Sequence, residues 1–210
     1  MYAPIVDALP AGSVRETYFL YTDNPPYESL EAYAEQMIRK QNLADAYDVV
    51  VGTSMGGMIA QIALTRKWIR TKKLVLISTA FSSEDLTLFS RITGRMFQAC
   101  PLFLVSFFIF LFSLLYPFLR SSMKYKRLFS QMMRRVPPGF LRGGIRMILN
   151  WSGVPVQSVK TVSFHGTSDP LISFRRIAEK RVPDYPLLRG NHIVFTQVGE
   201  VIAAEILKAE

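Results

Sequence analysis

The chain has 210 residues, half of them hydrophobic and a fifth charged, with 12 glycines and 12 prolines. This balance describes one folded domain with a full apolar core and excludes disordered, collagenous and low-complexity chains. One cysteine and two histidines exclude an internal disulfide and a Cys/His zinc cluster, and nothing in the cysteine usage points to an oxidising compartment.

The opening segment MYAPIVDALP carries Asp7 and no Lys or Arg before Arg15, unlike the basic start and unbroken apolar run of a secretory leader, so a cytoplasmic setting is expected. TYFLYT, Thr17–Thr22, reads as a strand. SLEAYAEQMIRKQ reads as a helix, with Ser29 as its N-cap and Glu31 in its first turn. From Asp45 onward, short apolar runs alternate with helical periods, the pattern of parallel strands joined by crossover helices. YDVVVG (Tyr47–Gly52) is a β-branched buried strand, MIAQIALTRKWI (Met58–Ile69) the helix behind it and KLVLIST (Lys73–Thr79) the next strand.

Between Glu84 and Pro155 the strand rhythm stops, and the chain reads as helices and turns punctuated by Pro101, Pro117 and the VPPG at Val136–Gly139. The rhythm then resumes. VKTVSFHG (Val159–Gly166) and DYPLL (Asp184–Leu188) are two more strands, followed by helices from Phe174 and Thr196. The expected fold class is α/β: a mostly parallel sheet flanked by helices, with residues 1–83 and 156–210 as the core and 84–155 as an inserted helical cap.

Gly52-Thr53-Ser54-Met55-Gly56 fits G-x-S-x-G and stands straight after a strand and straight before a helix, the context in which that motif forces a serine into a sharp exposed turn. The backbone N–H of Met55, at the helix N-terminus, is placed to receive a developing oxyanion. A serine hydroxyl needs a base, and only His165 and His192 are present. His165 sits in a strand end, whereas His192 follows Arg189-Gly190-Asn191 in a loop after the last strand, where its ring can swing onto a neighbouring strand end; His192 is the better base. Asp169, in the turn HGTSDP, is the acid that would orient it.

With the elbow GTSMGG, the acid turn HGTSDPLI and the histidine loop GNHIVF, the whole sequence resembles the α/β-hydrolase superfamily, and within it the small bacterial hydrolases with a helical cap. The resemblance implies Ser54 as nucleophile, Asp169 as acid, His192 as base and Met55 as oxyanion donor. It also implies a cap inserted after the sixth strand of an eight-stranded sheet. It further implies a strand and oxyanion loop ahead of the helix that MYAPIVDALP resembles. No residues stand before Met1 to form them, so two expectations follow: N-terminal strands missing from the sheet, and either a functional protein that begins upstream of Met1 or an impaired hydrolase.

Ala99–Leu119 holds no charged residue, and Leu102–Tyr116 is nearly all apolar. Three readings stand for this run: a transmembrane span, a buried or pocket-lining cap helix, or a membrane-facing one. A single span would separate Ser54 from Asp169 and His192 by a bilayer, and Pro101 and Pro117 leave roughly fifteen uninterrupted residues where a span needs about 20. From Leu86 to Ser168 there are 11 Lys and Arg and no Asp or Glu, so the whole excess of the +9 net charge lies here. The basic stretch Arg120–Val136, with Lys124, Lys126, Arg127, Arg134 and Arg135, suits an anionic membrane surface and peripheral attachment, or a solvated face. No nucleic-acid partner is expected, since no nucleic-acid-binding pattern accompanies the charge.

The expected activity is hydrolysis of a carboxylic ester, or less readily a thioester or amide, of a small apolar acyl substrate through an acyl-enzyme. Acyl transfer to an alcohol or amine uses the same residues. The alternative from another class is a catalytically impaired hydrolase-fold protein that binds lipid or a partner through its cap. No cofactor is implied.

Overall fold

The computed structural model describes residues 3–11, 28–43, 46–115, 136–155 and 159–208. The strand expected at Thr17–Thr22 lies outside these residues, as do Tyr116, Pro117 and the basic side chains from Arg120 to Arg135. Four strands form one sheet in the order β1 (Ala46–Thr53), β2 (Arg70–Ile77), β3 (Lys160–Gly166) and β4 (Tyr185–Leu187), and every neighbouring pair is parallel. All four C-terminal ends therefore share one edge. The helices are α1 (Ala3–Val6), α2 (Leu30–Lys40), α3 (Met55–Thr65), α4 (Leu88–Ala99), α5 (Leu102–Leu115), α6 (Pro138–Leu149), α7 (Phe174–Lys180) and α8 (Gly199–Leu207).

Alternation along β2 divides the core in two, because successive strand side chains point to opposite faces. Leu74 and Leu76 join a cluster with Met58, Ile59 and Ile62 of α3, Leu30, Tyr33 and Met37 of α2, and Met147 of α6. Val75 and Ile77 join Val162, Phe164, Ile202 and Ala203 on the other face, against α1 and α8. Burying each large apolar side chain contributes about 1.5–3 kcal/mol, so both faces of the sheet are strongly held. Helix α2 starts as its sequence implies: the Ser29 hydroxyl accepts from the Ala32 N–H at 3.1 Å, with Glu31 in the first turn and Arg39 and Lys40 in the last.

Between β2 and β3 the described chain is helical, beginning with a 3₁₀ turn at Ser83–Asp85 and continuing through α4, α5 and α6. Helix α5 follows Pro101 directly and has 14 residues. No described helix is long and apolar enough to cross a membrane.

One charged pair lies inside the second core. Lys73 on β2 is 1% exposed, and its ammonium donates to the Glu205 carboxylate on α8 at 2.9 Å. Tyr185 and Lys208 donate to the other carboxylate oxygen at 2.9 and 2.8 Å. The hydrogen bonds from Lys208 and Lys73 hold the Glu205 carboxyl down at about 2, against an ordinary value of 4.5. A carboxyl depressed on folding stabilises the fold above its unfolded value and loses that contribution as pH falls through the folded one. Glu205→Gln should therefore cost on the order of 3 kcal/mol near neutrality, where it takes the counter-charge from a buried ammonium that keeps only the Glu205 backbone carbonyl as acceptor, and should flatten the fall in stability between about pH 4.5 and 2. Urea midpoints at pH 7 and pH 3 check this; equal pH dependence in parent and variant would contradict it.

Candidate active site

Strand β1 ends at Thr53 and α3 begins at Met55, leaving one residue, Ser54, to make the whole turn. Its backbone is at φ 53°, ψ −123°, a conformation that costs a non-glycine residue on the order of 1–3 kcal/mol and persists only where surrounding contacts enforce it. The contacts are specific. The Ser54 N–H donates to Ile77 O at the end of β2 at 3.0 Å, and the Thr79 hydroxyl donates to Ser54 O at 2.7 Å. The turn closes so tightly that a Cβ on Gly52 would lie 2.5 Å from the Gly57 Cα, and one on Gly57 would lie 2.6 Å from the Thr79 Oγ1. The G-x-S-x-G motif marks Gly52 and Gly56. The close approach involves Gly52 and Gly57, and the Gly56-Gly57 doublet was the available signal.

Asp169 and His192 arrive from the ends of β3 and β4. The two loops are laced together: Thr167 N–H donates to Leu187 O at 3.0 Å, Arg189 N–H to the Thr167 hydroxyl at 3.0 Å and Ser168 N–H to Gly190 O at 3.0 Å. One carboxylate oxygen of buried Asp169 accepts from the N–H groups of Leu171 and Ile172, at 2.8 and 3.1 Å. The other lies 2.8 Å from His192 Nδ1, and His192 Nε2 lies 3.0 Å from Ser54 Oγ. Burial pushes the Asp169 carboxyl up, but His192 and the two N–H groups outweigh it and hold the group below its ordinary value. An ionised carboxylate only accepts, so Nδ1 carries the proton and Nε2 faces the serine as an acceptor. Met55 occupies the first position of α3, where backbone N–H groups have no partner within the helix.

The structure thus brings Ser54, Asp169 and His192 into one hydrogen-bonded relay, with Met55 next to Ser54. His165, the other histidine, sits beneath the relay. It is buried, its Nε2 is 3.3 Å from Ile172 O and 3.6 Å from the Asp169 carboxylate, and burial lowers its pKa. A neutral ring donating from Nε2 to Ile172 O braces the loop that carries Asp169.

A second brace involves residues outside the motif set. The buried Asp85 carboxylate accepts from the Phe81 and Ser82 N–H groups at 2.7 and 3.0 Å and pairs with Lys180 at 2.7 Å. Its carbonyl accepts from the Ser173 N–H at 2.8 Å. Thr87 and Ser90 at the start of α4 donate to Pro170 O and Leu171 O at 2.6 and 2.8 Å. The base of the helical region is therefore fastened to the Asp169 loop. The Ser82-x-x-Asp85 capping box, legible in the sequence as S-x-x-D, was the signal.

No family model and no curated protein matches the chain. Solved structures do. An esterase from Thermogutta terrifontis superposes with a TM-score of 0.64 at 16% identity, covering 88% of this chain and 74% of that one. A bromoperoxidase from Bacillus anthracis gives 0.66 at 15% identity, over 99% and 86%. A meta-cleavage product hydrolase from Pseudomonas fluorescens gives 0.62 at 15%, over 99% and 83%. This chain has the α/β-hydrolase fold. Its four described parallel strands form part of that fold's usual eight-stranded sheet, and its helical region is inserted between β2 and β3.

In this α/β-hydrolase fold the turn at Ser54 leaves no room for a further carbon at Gly57. Gly57→Ala should drive a Cβ into Thr79 and lower stability by about 1–3 kcal/mol, the usual cost of overpacking. At this chain length that corresponds to roughly 2–4 °C in Tm per kcal/mol. Thermal unfolding of the purified variant checks it, and an unchanged Tm would show that the elbow relaxes freely.

Proposed function

We propose that the protein is a serine hydrolase that cleaves a carboxylic ester of a small apolar acyl substrate through an acyl-enzyme. The observation that carries this reading is the relay from Ser54 Oγ through His192 to Asp169, at 3.0 and 2.8 Å, assembled from the ends of three different strands. Ser54 Oγ attacks the ester carbonyl carbon as its proton passes to His192 Nε2, and the imidazolium is held by the ionised Asp169. The Met55 N–H receives the oxyanion. Collapse of the tetrahedral adduct expels the alcohol, which takes the proton from Nε2 and leaves Ser54 acylated. Water then attacks the acyl carbon with His192 as base, and the second collapse releases the carboxylic acid and restores the serine.

The apolar side of the substrate follows from what lies above the elbow. Met55, Phe140, Ile148 and Leu149 pack around the buried cluster that holds Met147 and Trp151, and a Cβ on Gly144 would stand 3.6 Å from the Met55 Sδ. Helix α6 therefore closes over the start of α3 with carbon and sulfur, which favours an acyl chain over a charged group.

A fluorophosphonate probe tests the assignment, since it phosphonylates an activated serine with loss of fluoride. The labelled peptide should contain Ser54, and Ser54→Ala should abolish labelling and reduce turnover of a short p-nitrophenyl ester by about 10⁶. Asp169→Asn should reduce turnover by about 10⁴ with the fold retained. A folded parent protein that neither labels nor turns over the ester would overturn this reading in favour of a catalytically impaired member of the fold.

A further inference from the structure

Helices α4 and α5 display apolar side chains that the core does not use. On α4, Leu88, Phe89, Ile92 and Met96 are all exposed, Leu88 to 72% and Met96 to 64%; they fall within roughly 100° of helix arc. On α5, Phe103, Phe107 and Phe110 recur at helical spacing and are exposed, Phe103 to 71%. The Phe97 and Phe108 rings meet at 6.4 Å and join the two helices. This much exposed aromatic and aliphatic surface is unusual on a protein that acts alone.

Charge selects the occupant. Arg91 and Arg95 stand one beside the other along the edge of the α4 stripe, Arg95 exposed, and Arg146 is exposed on the neighbouring α6. The chain from Leu86 to Ser168 holds 11 Lys and Arg and no acidic residue, and the exposed Glu84 just before it meets Arg91 through its backbone carbonyl. A second copy docked through the same face would set two cationic surfaces against each other, which association disfavours. An anionic bilayer needs no complementary shape, takes aromatic and aliphatic side chains into its acyl boundary and pairs its headgroups with the arginines.

We propose that the α4–α5 face docks on an anionic membrane surface, with Leu88, Phe89, Ile92 and Phe103 inserted and Arg95 at the headgroups. The face starts at the rim of the relay: the Thr87 N–H donates to Leu171 O at 3.0 Å, beside the half-exposed Leu171 of the Asp169 loop. On the hydrolase reading given above, a substrate leaving the membrane would meet the active site directly; the docking itself does not rest on that reading.

Sedimentation with large vesicles tests it, using the full chain carrying Ser54→Ala so that binding is measured apart from chemistry. Binding should be strong to phosphatidylcholine vesicles containing 30 mol% phosphatidylglycerol, weak to phosphatidylcholine alone, and at least about tenfold weaker in 0.5 M NaCl, where exposed charges are screened. Arg95→Glu should weaken it by at least about fivefold. The combined Leu88→Ser, Phe89→Ser and Ile92→Ser change should weaken it at least about tenfold. In the Ser54 background the triple change should leave Tm and turnover of a short soluble ester unaltered. Equal binding by parent and triple variant, binding indifferent to phosphatidylglycerol, or a dimer that the triple change dissolves in the absence of vesicle binding would each overturn the proposal. Loss of ester turnover in the parent would instead strike at the hydrolase reading and leave the vesicle result standing.

Discussion

Every feature of the site depends on four strands running the same way. Because β1 to β4 are parallel, their C-terminal ends lie along one edge, and whatever the chain places just after each strand meets its neighbours there. Ser54 follows β1, Asp169 follows β3 and His192 follows β4, while β2 between them supplies Ile77 O and Thr79 to hold the serine turn. The three functional groups come from positions up to 138 residues apart. Reversing any one strand would send its residue to the opposite edge.

The strain at Ser54 is the local counterpart of that arrangement. A one-residue turn between a buried strand and a helix can aim a side chain outward only through a positive φ, and the packed core supplies the force that maintains it. Gly52 against Gly57 removes the carbon atoms that would hold strand and helix apart, and Thr79 ties the serine carbonyl to the end of the next strand. Two buried carboxylates serve in different ways. Glu205 pairs with Lys73 and locks α8 to the sheet, whereas Asp85 pairs with Lys180 and accepts from the Ser173 N–H through its carbonyl, fastening the helical region to the segment after Asp169. At the start of α4, Thr87 and Ser90 donate to Pro170 O and Leu171 O, which ties the helical layer to the loop that carries Asp169.

Much of this was legible in the chain. β-branched and apolar runs mark the strands, but not their starts where side chains point to water. β2 begins at Arg70, three residues before Lys73, because the polar Arg70-Thr71-Lys72 pair with β1 at the exposed end of the sheet and carry no apolar signal. α3 begins at Met55, not Met58, since the Gly56-Gly57 doublet reads as a turn and becomes helical only when pressed between β1 and Thr79. The final helix starts at Gly199, not Thr196, because Val194–Thr196 tighten into a 3₁₀ turn that directly follows the His192 loop.

The sequence by itself determined the class of fold, the strand–serine–helix elbow and the order Ser54, Asp169, His192, because these are recorded in local periodicity and in turn residues. Only the tertiary structure decided that His165 braces the Asp169 loop from below, and that Lys73 is a buried ion-pair partner when its neighbour Lys72 pairs at the surface with Asp48. It also decided that α4, amphipathic on paper, keeps its apolar stripe outside. Periodicity specifies which side chains share a face; which face is turned inward is set by what the rest of the chain packs against it, and that is not written in any local stretch.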